Sequence, residues 1–146
     1  MDVRMIEKRD IEQVHEIEKN CFSDAWSITG IQESLDQNHT VLLGAWLDRK
    51  LSGYVIAYLS IDDCEIARIA VDGTCRRKGV ALKLLEELKN VCLKRQVERI
   101  MLDVRSSNEA AVSLYGKFGF TQDGIRKNFY VRPTEDAVLM SFIIGK

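Results

Sequence analysis

The chain has 146 residues, with 21 Lys and Arg against 22 Asp and Glu, a formal net charge of −1. That balance excludes a protein held to nucleic acid by bulk positive charge, and equally an acidic disordered tail. Apolar residues make up 46%, enough for one sizeable core in a single domain over residues 1–146, and a lone proline, Pro133, excludes a proline-rich linker.

In chain order, residues 3–6 read as a short strand. Asp10 opens a helix, with Gln13 completing a capping box and Ile11, Val14, Ile17 and Cys21 forming the apolar stripe. Ser27 begins a second, shorter helix with Ile28, Ile31 and Leu35 on one face, weakened by Gly30. Residues 40–47 and 51–60 are β-rich runs joined by Asp48-Arg49-Lys50, a hairpin signal. After the turn at 61–63 comes a strand at 64–71. The period then changes: Ala81, Leu84, Leu85, Leu88 and Cys92 share one helical face, and that helix ends near Arg95. A strand at 98–104 follows, then a helix at 106–117 with Ser106 and Glu109 as a capping box, then strands at 120–131 and 136–144. Antiparallel hairpins followed by a βαβ crossover predict an α/β fold of the α+β type, a mixed, mostly antiparallel sheet of about seven strands flanked by four helices.

The cysteines, Cys21, Cys64, Cys75 and Cys92, contain no CxxC and have no histidine at ligand spacing, so no zinc site is expected. They read as reduced thiols of a cytoplasmic protein. The N-terminus is charged, and the longest clean apolar run, residues 41–47, is far short of the ~20 residues a membrane span needs. The near-zero total charge hides a segregation. Residues 1–39 carry 4 basic and 9 acidic side chains, whereas residues 72–105 carry 9 basic and 5 acidic.

The chemistry concentrates where a buried strand, Ile69-Ala70-Val71, ends in a polar turn and a glycine stands at the mouth of the long helix: Arg76-Arg77-Lys78-Gly79-Val80-Ala81-Leu82. Unsatisfied N–H groups at a helix N-terminus hold phosphate, glycine permits close approach, and the three basic side chains add fixed charge. From the residues alone the loop reads equally as a solvated basic turn. A Walker loop is excluded because Lys78 precedes its glycine, and Gly73 and Gly79 do not make a GxGxxG.

Arg76-x-x-Gly79-x-Ala81 resembles the R/Q-x-x-G-x-G/A signature of the GCN5-related N-acetyltransferases (GNAT family). It follows Glu65-Ile66-Ala67-Arg68-Ile69-Ala70-Val71 and precedes Leu102-Asp103-Val104-Arg105-Ser106-Ser107-Asn108, Leu114-Tyr115, Gly119-Phe120 and Glu135-Asp136-Ala137. Together these cover nearly the whole chain and resemble the ribosomal-protein-alanine (RimI-like) branch. The resemblance implies the GNAT fold and acetyl-CoA as acetyl donor, with no metal. It implies that the strand at Ile69, Ala70 and Val71 pairs with the pantetheine arm. The loop from Arg76 to Leu82 would hold the pyrophosphate, Asn108 would touch the pantetheine, and Tyr115 would lie near the thioester sulfur as general acid. Read without the family, Asn108 is equally a helix cap and Tyr115 equally a core residue.

Glu65 and Asp103 are the candidate bases, directly or through water. Asp103 is one methylene shorter than the glutamate the branch carries there. Gly73, Cys75, Ala25 and Phe129 also depart from its pattern, where it has proline, an aromatic, proline and tyrosine. Trp26 and Tyr130 are the groove candidates. The implied acceptor is a protein N-terminal α-amine, a ribosomal protein among them, with no nucleic-acid or membrane partner. The acidic N-terminal segment would then border the acceptor groove. A small-molecule amine acceptor and a non-catalytic acetyl-CoA-binding module are the alternatives.

Overall fold

In the computed structural model, which describes residues 1–145, seven strands and four α-helices alternate in the expected order. The strands are β1 (Asp2–Met5), β2 (Thr40–Leu47), β3 (Lys50–Leu59), β4 (Asp63–Val71), β5 (Arg99–Arg105), β6 (Thr121–Tyr130) and β7 (Glu135–Ile143). The helices are α1 (Ile11–Cys21), α2 (Ile28–Leu35), α3 (Val80–Lys94) and α4 (Glu109–Phe118). They build one sheet in the order β1-β2-β3-β4-β5-β7-β6, antiparallel throughout except at β4 and β5. A parallel pair needs a long crossover, and α3 supplies it.

Each sheet face is closed by a helical pair. Ile11, Val14 and Ile17 of α1 and Ile31 of α2 pack on Leu42, Leu51, Tyr54, Ile56 and Ala70. On the other face Leu84, Leu85, Leu88 and Cys92 of α3 and Tyr115 of α4 pack on Val41, Val55, Ile66, Ile100, Leu102 and Val104. Leu84, Leu85 and Leu88 are wholly buried, each contributing roughly 2 kcal/mol of transfer free energy.

Two capping expectations fail for electrostatic reasons. Asp10 does not cap α1. Its carboxylate accepts from the Arg4 guanidinium at 3.0 Å and from the Glu7 backbone N–H at 2.9 Å, closing a 3-10 turn ahead of the helix. A charged partner outcompetes a neutral amide. Ser106 does not begin α4 either. Ser106 Oγ and the Ser107 N–H donate to Glu135 Oε2, and Asn108 caps the helix by accepting from the Ala111 N–H at 3.2 Å.

The irregularities at β4 matter most. Ile56 pairs with Arg68 and Ala57 with Ile66, so Ala67 is an extra residue, a β-bulge. Side chains alternate along a strand, and an extra residue switches the parity. Cys64 and Ile66 before the bulge, and Ile69 and Val71 after it, all belong to the α3 side. Glu65, Arg68 and Ala70 therefore turn toward α1. In addition, β4 and β5 pair only from Asp63–Arg99 to Glu65–Met101. Beyond that point the two strands splay, and the sheet opens in its middle.

Candidate active site

The splay makes a cleft of about 660 Å³. Its lining comes from both faces of the sheet. On the α1 face it is bordered by Cys21, Phe22, Asp24, Glu65, Arg68, Asp103 and Tyr130, and on the α4 face by Ile69, Asn108, Ala111 and Tyr115. The β5-facing backbone of residues 66–71 has no strand partner in this gap, so β4 offers a free strand edge inside the sheet.

Both carboxylates proposed from sequence line the cleft, and neither forms an ion pair or hydrogen bond with protein among the described residues. Glu65 stands at the last paired position of β4, opposite Met101, and Asp103 follows two residues beyond that partner on β5. Across the slot, burial pushes the Tyr115 phenol up, with the neighbouring Tyr130 adding to the effect. The Tyr115 ring packs on Phe120 at 5.6 Å between centroids. Asn108 uses Oδ1 for its cap and lines the cleft, so the cap leaves its amide Nδ2 uncommitted.

Tyr130 is half-buried, edge-on to Phe129 at 5.1 Å and under the Arg105 guanidinium at 4.5 Å. Burial raises its phenol and Asp103 raises it further, while Arg105 and Arg68 act in the opposite direction. Those four side chains therefore share one part of the cleft. Arg105 also donates to the carbonyls of Pro133 at 3.0 Å and Val131 at 3.2 Å, holding the turn that follows β6.

The basic loop lies at the exit of β4. Asp72 caps a 3-10 turn, Gly73–Cys75, by accepting from the Thr74 N–H. Arg77 and Gly79 then take positive φ, 65° and 77°. A Cβ on Gly79 would meet nothing within 4 Å, so the glycine is needed for its backbone angle and not for space. No side chain caps α3, and Arg76, Arg77 and Lys78 are exposed and form no ion pair among the described residues. Bare first-turn amides of Val80, Ala81 and Leu82 beside three unpaired cations suit a polyanion. With the free edge of β4, the fit is to an extended ligand carrying phosphates at one end. Ala70 points away from the slot into the α1 core, and Val71 accepts from the Cys21 thiol at 3.6 Å.

Trp26 does not line the cleft. It packs at the rim of the α1 core, its backbone N–H donating to Glu18 Oε2 at 2.8 Å and its ring near Arg68 at 5.4 Å. Arg68, which lines the cleft, escaped the sequence reading, as did the bulge that aims it. The available signal was the three-residue step between Ile66 and Ile69, which breaks the two-residue period.

The acetyltransferase (GNAT) family model matches residues 11–120. An Escherichia coli [ribosomal protein bS18]-alanine N-acetyltransferase is 30% identical over 147 residues, 98% of this chain and 97% of its own. A Bacillus subtilis protein to which the same activity is provisionally given is 34% identical over 99% of this chain and 96% of its own. The crystal structure of the ribosomal-protein-S18-alanine N-acetyltransferase from Escherichia coli superposes with a TM-score of 0.91 at 28% identity, covering 99% of this chain and 94% of that one. Family model, fold and relatives agree, and the chain belongs to the acetyltransferase (GNAT) family, enzymes that draw acetyl from acetyl-CoA.

Proposed function

We propose that the chain transfers acetyl from acetyl-CoA to the α-amino group of a protein N-terminus, an alanine-initiated ribosomal protein being the favoured acceptor and the cytoplasm the place of work. The slot between β4 and β5 carries this reading, because it brings free carboxylates on one sheet face opposite a buried phenol on the other. The names of the relatives support the acceptor class.

The donor's phosphates would lie on the bare amides of residues 77–82, flanked by Arg76, Arg77 and Lys78, with its extended arm along the free edge at Ile69–Val71 and beside Asn108. Asp103 and Glu65, through water, would take the proton from the acceptor ammonium. Neutralising an α-amine of pKa ~8 at pH 7 costs about 1.4 kcal/mol, whereas a lysine of pKa ~10.4 costs about 4.6 kcal/mol. Two carboxylates acting through water suit the smaller demand. The β4 backbone N–H groups at the gap would stabilise the developing oxyanion.

Tyr115 would donate toward the leaving thiolate. For an ordinary phenol and thiol, full transfer is uphill by about 2 kcal/mol. The raised Tyr115 phenol makes it steeper, so donation is a hydrogen bond strengthening as the C–S bond breaks.

The test is incubation of the protein and acetyl-CoA with an alanine-initiated peptide that also carries an internal lysine, read by fragmentation mass spectrometry. Acetyl on the α-nitrogen is expected. Acetyl on lysine alone, or on neither amine while free small amines react, would overturn the proposal.

A further inference from the structure

Arg68 sits on the acceptor side of the slot with an arrangement that packing alone does not require. Its side chain is only 13% exposed, and it is held from three directions. Nη2 donates to the Asp24 carbonyl at 2.9 Å and to Asp24 Oδ1 at 3.2 Å. Nε lies 3.5 Å from Glu18 Oε1, an ion-pair contact without an aligned hydrogen bond. The guanidinium plane rests on Phe22, 4.1 Å from the ring centroid.

Glu18 is itself wholly buried, and its carboxylate also accepts from the Tyr54 hydroxyl and the Trp26 backbone N–H. A fully buried acid on α1 thus anchors an arginine on β4 in a fixed pose. Nη1 makes no hydrogen bond or ion pair to protein among the described residues, and unlike Nε it is not sealed from solvent. It belongs to a cleft-lining side chain whose field reaches the Tyr130 hydroxyl, as does that of Asp103.

Two properties follow. Glu18 and Asp24 offset the guanidinium charge, so Arg68 presents donors without repelling an incoming ammonium ion. A fixed donor on a desolvated, neutralised group selects a neutral oxygen. In a peptide N-terminus the first carbonyl oxygen lies roughly 3 Å from the α-nitrogen. A lysine side chain has no oxygen at that distance from its amine. We infer that Arg68 is a specificity-determining residue whose Nη1 donates to the first carbonyl oxygen of the acceptor, selecting α-amines that are followed by a peptide bond. This rests on the protein N-terminal reading above.

The experiment compares an alanine-initiated tetrapeptide amide with isopropylamine, in which a methyl group replaces alanine's carbonyl, in the native protein and in Arg68→Lys. Lysine keeps the cation for Glu18 and Asp24 but loses the forked donors. Both acceptors are assayed on each preparation, so any loss of folded protein cancels in the ratio of kcat/KM values. The native ratio strongly favours the peptide. In Arg68→Lys it falls at least tenfold, chiefly through a higher KM for the peptide. A ratio unchanged by the substitution makes Arg68 a structural residue and overturns the inference while leaving the acceptor class intact. A native protein with no preference for the peptide overturns both.

Discussion

The ring of Tyr115 is fixed by packing on Phe120, while its hydroxyl has no acceptor among the described residues and is not sealed from solvent, so it opens on the slot. Phenylalanine would keep the first feature and lose the second. Tyr115→Phe is expected to lower kcat by roughly 10²- to 10⁴-fold, the range of a positioned acid, with affinity for acetyl-CoA little changed and thermal stability retained. Unchanged kcat in steady-state assays would remove Tyr115 from the chemistry. Asn108 makes the complementary point. Its sequence position fits a cap and a ligand contact equally well; the structure shows the cap, which occupies Oδ1, and the proposed contact would fall to Nδ2. Asp103 and Glu65 were legible as acids on strands. Their lack of protein partners, which distinguishes them from Asp63 or Asp10, was not, since a salt bridge depends on what the fold brings opposite.

At the scale of elements, periodicity matched strands and helices to within one or two residues except at the start of α4, three residues later than expected, because the apolar positions of α3 and the hairpins repeat cleanly. The capping boxes at Asp10 and Ser106 were misread because distant partners, Arg4 and Glu135, claimed the groups that local pattern assigned to the helix ends. The bulge at Ala67 and the splay beyond Glu65 were invisible for a related reason, since register is a property of two strands.

Gly53 is another such position. A Cβ there would meet the Ala70 carbonyl oxygen at 2.8 Å and Val80 Cγ1 at 2.8 Å, so this glycine on β3 lets the first turn of α3 sit close to the exit of β4. The first of those neighbours is backbone and cannot swing aside. Gly53→Ala is expected to cost about 1–3 kcal/mol and to weaken acetyl-CoA binding by shifting the bare amides of α3 away from the strand edge. Chemical denaturation and titration of the ligand would show both effects. Full stability together with native affinity would contradict the close packing.

For the whole molecule, titratable groups set a window of stability. Burial pushes the Asp10 carboxyl up, but the hydrogen bond and charge of Arg4 and the Glu7 N–H outweigh it, and the carboxyl lies below the ordinary range. The Ser107 hydroxyl and backbone hold Glu135 below it too. A lowered folded-state pKa stabilises above the unfolded value, ~4, and that contribution disappears as pH falls through the folded one. Burial raises Tyr54 and Tyr115, so their contribution is complete below ~10 and is lost as pH climbs beyond it. Thermal melts should therefore be level from about pH 5 to 9 and fall on both sides, with Asp10→Asn flattening the acid limb. A melting temperature held through pH 3 would contradict this assignment.

The gap between β4 and β5 also has a consequence for traffic. Because its walls come from both faces of the sheet, the proposed donor and acceptor would have separate doors. On that reading, an acceptor far larger than the enzyme would cover the α1 face completely while the α4 side stayed clear for spent coenzyme to leave and fresh coenzyme to enter. The proposed arrangement would thus let a protein of 146 residues work on the end of a chain belonging to a much bulkier assembly without being smothered by it.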